Sequence, residues 1–326
     1  MRAIALTLLA AFLLSGCAAA PPLTTLAQGN AGNIPFSSVT FPGSLWEPLT
    51  PPLSAGTPVV INGTLALPPG TGHVPAVVLT HGCSGVTLAE TGWADQLNKI
   101  GIGTLVLDGF TPRGIQEICT GRFTVNTASL IVDTYRARDL LATHPRIDPS
   151  RIALMGFSFG GRTAVWASLT RFQQLYGAAP QPFAATLVFY PTSCYLTMAD
   201  EEQVSGPIRI LHGDADDWTP VVPCRQYVER MRRAGRDVAL FEYSGAHHGF
   251  DNPQLRAMVS WPEAISPRNC AFVERDGKIV DPATGRVAGL GSSCFSKGIH
   301  VGYNAEAHRR AVQDVRTFLA AVFRLN

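Results

Sequence analysis

From residue 57 onward, short apolar runs alternate with longer stretches whose apolar positions recur every three or four residues. The short runs read as strands over 59–67, 76–80, 104–108, 152–157, 184–190, 208–212 and 238–243. The longer stretches predict helices near 88–99, 126–143, 161–173 and 222–234. A last helix, 305–323, would gather Ala311, Val315, Phe318, Leu319 and Val322 on one face. Asn126 and Asn304 stand where N-caps are wanted. Runs such as AVVLT and RIALMGF lack polar alternation and suit strands buried on both faces. This alternation predicts one α/β domain over 56–326, a mostly parallel sheet with helices on both faces.

Two stretches break the pattern. Residues 18–55 are rich in Pro, Gly, Ser and Thr, and Pro21, Pro22, Pro35, Pro42, Pro48, Pro51 and Pro52 oppose helix. They read as a tether, 17–55, whose end around Trp46 is free to pack onto the domain. Residues 251–300 are again polar and rich in Pro and Gly, and read as an insertion. Within them, FVER and KIV flank Asp276-Gly277, a strong two-residue hairpin signal. Whether the insertion covers a site or decorates the surface is open at this point.

Composition narrows the function classes. Apolar residues make up 46% and charged residues 15% of the 326-residue chain, the latter below the usual ~25%. That excludes a disordered or coiled-coil chain. A formal net charge of +2 is too small a surplus for a nucleic-acid binder.

At the N-terminus, Arg2 precedes an apolar run over 3–14, too short to span a bilayer but suited to a secretory signal. The following Leu14-Ser15-Gly16-Cys17 resembles the lipobox of bacterial lipoproteins. That resemblance implies removal of 1–16, acylation of Cys17 and a membrane-anchored protein of the cell envelope. The alternative is an ordinary signal peptide cut near Ala18–Ala20. Six cysteines then remain, an even count that suits disulfides in an exported chain. A neighbouring-pair pattern would join Cys83 to Cys119, Cys194 to Cys224 and Cys270 to Cys294; buried free thiols are the other reading. No cysteine or histidine spacing suggests a metal site.

The chemistry concentrates where strands end. The 152–157 run leads into Gly156-Phe157-Ser158-Phe159-Gly160-Gly161 and then a helical pattern, the strand–turn–helix context of a nucleophile elbow. A serine hydroxyl is a weak nucleophile until a base takes its proton. His248 and His247, in the loop after 238–243, are the candidates for that base. An orienting carboxylate would come from Asp214, Asp216 or Asp217, after 208–212. The order serine, aspartate, histidine is that of α/β-hydrolases. Two backbone N–H donors should face the oxyanion: Phe159, directly after the serine, and Cys83, in the loop after 76–80.

These residues resemble the dienelactone hydrolase family of α/β-hydrolases. The shared pieces are HGCSG at 81–85, LDGFTPRG at 107–114, GFSFGG at 156–161, FYPTSC at 189–194, HGDADDWTP at 212–220 and YSGAHHGFD at 243–251. The family's D-x-x-[VT]-P pattern falls on Asp216 and its A-x-H-x-F pattern on His248. The resemblance implies an α/β-hydrolase fold and cofactor-free hydrolysis of a small carboxylic ester or lactone. The best-known members carry cysteine at the elbow, and they lack an export signal and the 251–300 insertion; Ser158 points toward the family's serine esterases. Arg113 could hold an anionic substrate group or satisfy loop carbonyls. Trp218 could line the acyl pocket or pack its loop. Arg162 is expected to form a structural ion pair. Other outcomes on the same fold are a peptidase, an acyltransferase or a non-catalytic envelope lipoprotein.

Overall fold

A computed structural model describes residues 21–325, apart from 122, 123, 180, 256, 257 and 290. The leader 1–16 and Cys17 lie outside the described residues. In chain order the strands and helices are β1 (Gly32–Thr40), β2 (Thr57–Ala66), β3 (Val74–Thr80), α1 (Leu88–Asn98), β4 (Gly103–Asp108), α2 (Thr127–Leu141), β5 (Ile147–Phe157), α3 (Phe159–Ala167), α4 (Thr170–Tyr176) and β6 (Thr186–Phe189). There follow β7 (Leu196–Thr197), β8 (Ile208–Gly213), α5 (Val222–Arg233), β9 (Val238–Tyr243), β10 (Val259–Ser266), β11 (Phe272–Arg275), β12 (Lys278–Val280), β13 (Ser296–Val301) and α6 (Ala305–Phe323).

Eight strands form one sheet in the order β1-β2-β4-β3-β5-β6-β8-β9. From β4 to β9 all neighbours are parallel, while β1, β2 and β4 pair antiparallel at one edge. Both faces of the central strands β3, β4 and β6 are buried, as the continuous apolar runs imply. On β3, Val77 and Leu79 join the core under α1 and α6, and Ala76 and Val78 join the core under α2, α3 and α5. Helix α6 inserts Ala311, Val315 and Leu319 fully. The expected caps form: Asn126 Oδ1 accepts from the Ala128 N–H (2.8 Å) and Asn304 Oδ1 from the Ala307 N–H (3.1 Å). Among the described residues, no helix is long and apolar enough to cross a membrane.

Two boundaries differ from the sequence reading. The stretch read as a tether is largely part of the domain. Leu23 already donates a backbone hydrogen bond to Pro35, β1 is the outer strand of the sheet, and Leu26, Ile34, Phe36, Phe41, Leu45, Trp46 and Leu49 are buried. Proline is compatible with an edge strand, which lacks a neighbour on one side. The single helix expected over 161–173 is two helices. Its first turn begins at the elbow itself, and Leu169 turns extended (φ −71°, ψ 133°) between α3 and α4.

The insertion forms two small sheets, β10 with β13 and β12-β11-β7. The Asp276-Gly277 hairpin is present, with both residues at positive φ (49° and 71°), as a two-residue hairpin turn demands. The cysteines pair in the neighbouring pattern, Cys83–Cys119, Cys194–Cys224 and Cys270–Cys294.

Candidate active site

Ser158 sits between β5 and α3 at φ 52°, ψ −109°, a left-handed conformation that lifts its hydroxyl off the end of the sheet. The flanking glycines follow from the same close approach. A Cβ at Gly156 would lie 2.2 Å from the Gly160 carbonyl oxygen, and one at Gly160 would lie 2.3 Å from the Thr80 carbonyl oxygen.

Asp216 and His248 come from the loops after β8 and β9. The Ser158 hydroxyl donates to His248 Nε2 at 2.9 Å, and His248 Nδ1 donates to Asp216 Oδ2 at 2.8 Å. The carboxylate can only accept when ionised, which assigns the proton to Nδ1. Burial opposes charge on Asp216. His248, with His212 and the Thr219 N–H, outweighs it and holds the carboxyl below its ordinary range. The rival residues are engaged elsewhere: Asp214 accepts from the Gly245 N–H, and Asp217 pairs with His300 at 2.8 Å. His247 does not meet Ser158; its ring stands 6.5 Å from that of His300.

Cys83 and Phe159 both line the hollow beside Ser158. The Cys83 loop is pressed against the nucleophile, since a Cβ at Gly82 would stand 3.6 Å from Ser158 Cβ. That loop is tied down by the Cys83–Cys119 bond and by the Ile118 N–H donating to the Cys83 carbonyl (2.9 Å). Phe159 opens α3, where a backbone N–H has no acceptor within the helix.

Arg113 is not at the site. Its guanidinium is buried against Asp133 (2.7 and 2.9 Å) and also donates to Thr40 Oγ1 and to the carbonyls of Val39 and Gly109. Every nitrogen is spent on β1 and α2, so the substrate role is withdrawn in favour of a structural one. Among the described residues the ion pair expected of Arg162 is also absent. Its guanidinium is buried among rings, 4.5 Å from the Phe159 centroid and 5.8 Å from that of Trp166, at the wall of the hollow beside Ser158.

Trp218 does reach the site. Its ring lies 4.6 Å from that of His248, tilted by 47°, and its Nε1 donates to the Ile265 carbonyl. Sequence reasoning missed the support on the other side of the imidazole. The Tyr190 ring lies 4.4 Å from His248, and its hydroxyl donates to Asp251, which also accepts from Trp93 Nε1, each at 2.7 Å. Tyr190 and Asp251 sit in quoted motifs, but nothing local announces a contact across such separations. The insertion lies over the site: Ile265, Pro267, Phe272 and Phe295 line the same hollow as Ser158.

The model of the dienelactone hydrolase family matches residues 61–323. The chain belongs to the dienelactone hydrolase family. It is therefore an enzyme, a serine hydrolase of a family that acts on small esters and lactones. It is 25% identical over 201 residues to a probable 2-oxo-3-(5-oxofuran-2-ylidene)propanoate lactonase of Bradyrhizobium, covering 57% of this chain and 77% of that one. The fold is shared with a putative dienelactone hydrolase of Klebsiella pneumoniae (TM-score 0.55, 16% identity, 88% and 98% of the two chains). It is shared also with Thermogutta terrifontis esterase 2 phosphorylated by paraoxon (TM-score 0.53, 19% identity, 82% and 91%).

Proposed function

We propose that this hydrolase cleaves carboxylic esters or lactones through a covalent acyl-enzyme on Ser158. The observation that carries the reading is the unbroken chain of short hydrogen bonds from Ser158 through His248 to Asp216. As Ser158 Oγ bonds to the carbonyl carbon, its proton passes to His248 Nε2, and Asp216 stabilises the resulting imidazolium. The displaced electron pair gathers on the carbonyl oxygen, facing the N–H groups of Cys83 and Phe159. Collapse re-forms the carbonyl and breaks its bond to the leaving oxygen, which takes the proton from His248. Water, deprotonated by the same nitrogen, then releases the acid and restores the serine.

The test is a fluorophosphonate probe together with short-acyl ester turnover. Wild-type protein should label at Ser158, and Ser158→Ala should lose label and fall in kcat by about six orders of magnitude. Turnover at the wild-type rate in that variant overturns the mechanism.

We also read the chain as exported and lipid-anchored at Cys17. Three disulfides fit an oxidising compartment. Metabolic palmitate labelling that disappears in Cys17→Ala is the expected result; equal labelling of both proteins sinks that anchor.

A further inference from the structure

Two hollows meet at Ser158. One is lined by His248, together with Gly82, Glu90, Tyr190 and Asn252. The other is lined by Phe159, Arg162 and Thr192 among apolar and aromatic side chains, and His248 is not part of its wall. If Ser158 is the nucleophile, the leaving oxygen must lie beside His248 Nε2 to receive its proton. The alcohol therefore occupies the first hollow, and the rest of the acyl group extends into the second.

The wall of the acyl hollow carries a charge with no counter-charge among the described residues. Arg162 is 3% exposed, and its Nε and Nη2 are buried with no hydrogen-bond partner. Among the described residues, the buried side chains of Arg113 and Arg138 each face a carboxylate, Asp133 and Asp139, although Arg138 Nε is also without a partner. Burial pushes the Arg162 guanidinium down to about 9, so it is still a cation at neutral pH. The Phe159 and Trp166 rings offset only part of the desolvation of that cation. A second unsatisfied donor lines the same hollow: the buried Thr192 hydroxyl also has no partner. Arg162 lies one turn beyond Ser158, in the first turn of α3, where the helix dipole adds to the attraction for an anion. The free volume is about 60 Å³, several times the ~10–15 Å³ one water needs. That suits a short chain rather than a fatty acyl group.

We propose that Arg162, assisted by Thr192, binds a carboxylate at the far end of the acyl group, so that the preferred substrates are half-esters of short dicarboxylic acids. Arg162 forms part of the wall of the hollow, and its planar guanidinium, once turned toward that space, can take the carboxylate by paired charge-assisted hydrogen bonds. The proposal rests on the acyl-enzyme reading above and adds to it the identity of the acid.

The experiment compares monomethyl with dimethyl succinate, glutarate and adipate as substrates. At the best chain length wild-type protein should favour the monoester by roughly ten- to a hundredfold in kcat/KM. Arg162→Met should abolish or reverse that preference while still hydrolysing the diester, and Arg162→Lys should keep part of it. Equal or better turnover of every diester by wild-type protein overturns the proposal, whatever the variants do. Calorimetry of the free dicarboxylates, with matched monocarboxylates as controls, separates this idea from the catalytic one. Dicarboxylate binding that Arg162→Met loses supports the subsite even if no ester is turned over. No dicarboxylate binding by a protein that hydrolyses neutral esters sinks the subsite and leaves the nucleophile intact.

Discussion

The rim of the sheet and the segments that close over it are built on different physics. At the rim, Ser158, Asp216 and His248 each stand beyond the end of a parallel strand, so main-chain pairing sets their spacing. The cover is made of the N-terminal arm and the 251–300 insertion, and side chains hold it. Trp46 packs against Phe272 (5.3 Å) and Phe295 (6.3 Å), Arg171 grips Glu274 at 2.6 and 2.7 Å, and Cys270 is bonded to Cys294. The rim should thus answer to single-atom changes in chemistry, and the cover to changes in packing.

The sharpest test at the rim is Asp216→Asn, which keeps the shape but favours the wrong imidazole tautomer. It should lower kcat by about 10⁴ with little change in melting temperature; steady-state kinetics alongside calorimetry checks both. On the cover, Trp46→Ala removes a side chain that is 5% exposed and should destabilise by about 3–5 kcal/mol, read from denaturant unfolding. A comparable loss of kcat in that variant, at temperatures where it is folded, would erase the distinction between the regions. Replacing Cys270 and Cys294 together with serine releases a loop closed over a separation of 24 residues. The chain-entropy model puts that at about 3.5 kcal/mol. The expected readout is faster hydrogen exchange over β10–β13 and a raised KM, with fluorophosphonate labelling of Ser158 retained.

The smallest effect is that of acid on the Arg171–Glu274 pair. Burial works against charge on Glu274, but the bonds from Arg171 and the Ala199 N–H hold its carboxyl below the ordinary range. Its contribution is therefore complete above the pKa of a free glutamate and is lost as pH falls through the lower folded value. A partly exposed pair is worth ~1 kcal/mol at most. The stability gap between wild-type and Glu274→Gln should close as pH drops from neutral toward ~3, the pair's carboxylate having an ordinary value near 4.3. A gap that widens on acidification contradicts the assignment.

The same division explains what could be read without coordinates. Strands β2 to β9 (the short β7 aside) and helix α6 are announced by apolar periodicity, and the elbow by glycines whose necessity is local. β1 was hidden because Pro35 and its neighbours look like a linker until an edge is available to receive them. The partners of Arg113 and Arg162 were not legible for a related reason. Whether an arginine finds a carboxylate depends on which distant residue faces it: Asp133 meets Arg113, and among the described residues no carboxylate meets Arg162. The support of His248 by Tyr190 and Asp251 is likewise a product of folding, with no signature in the neighbourhood of any one residue.

The three cross-links carry a practical consequence. One fixes the loop against Ser158, one ties the segment after β6 to α5, and one closes the insertion. The mouth of the enzyme is thus cross-linked at three places. Protein made where thiols stay reduced would lack those ties, and its substrate range should then depend on how it had been prepared.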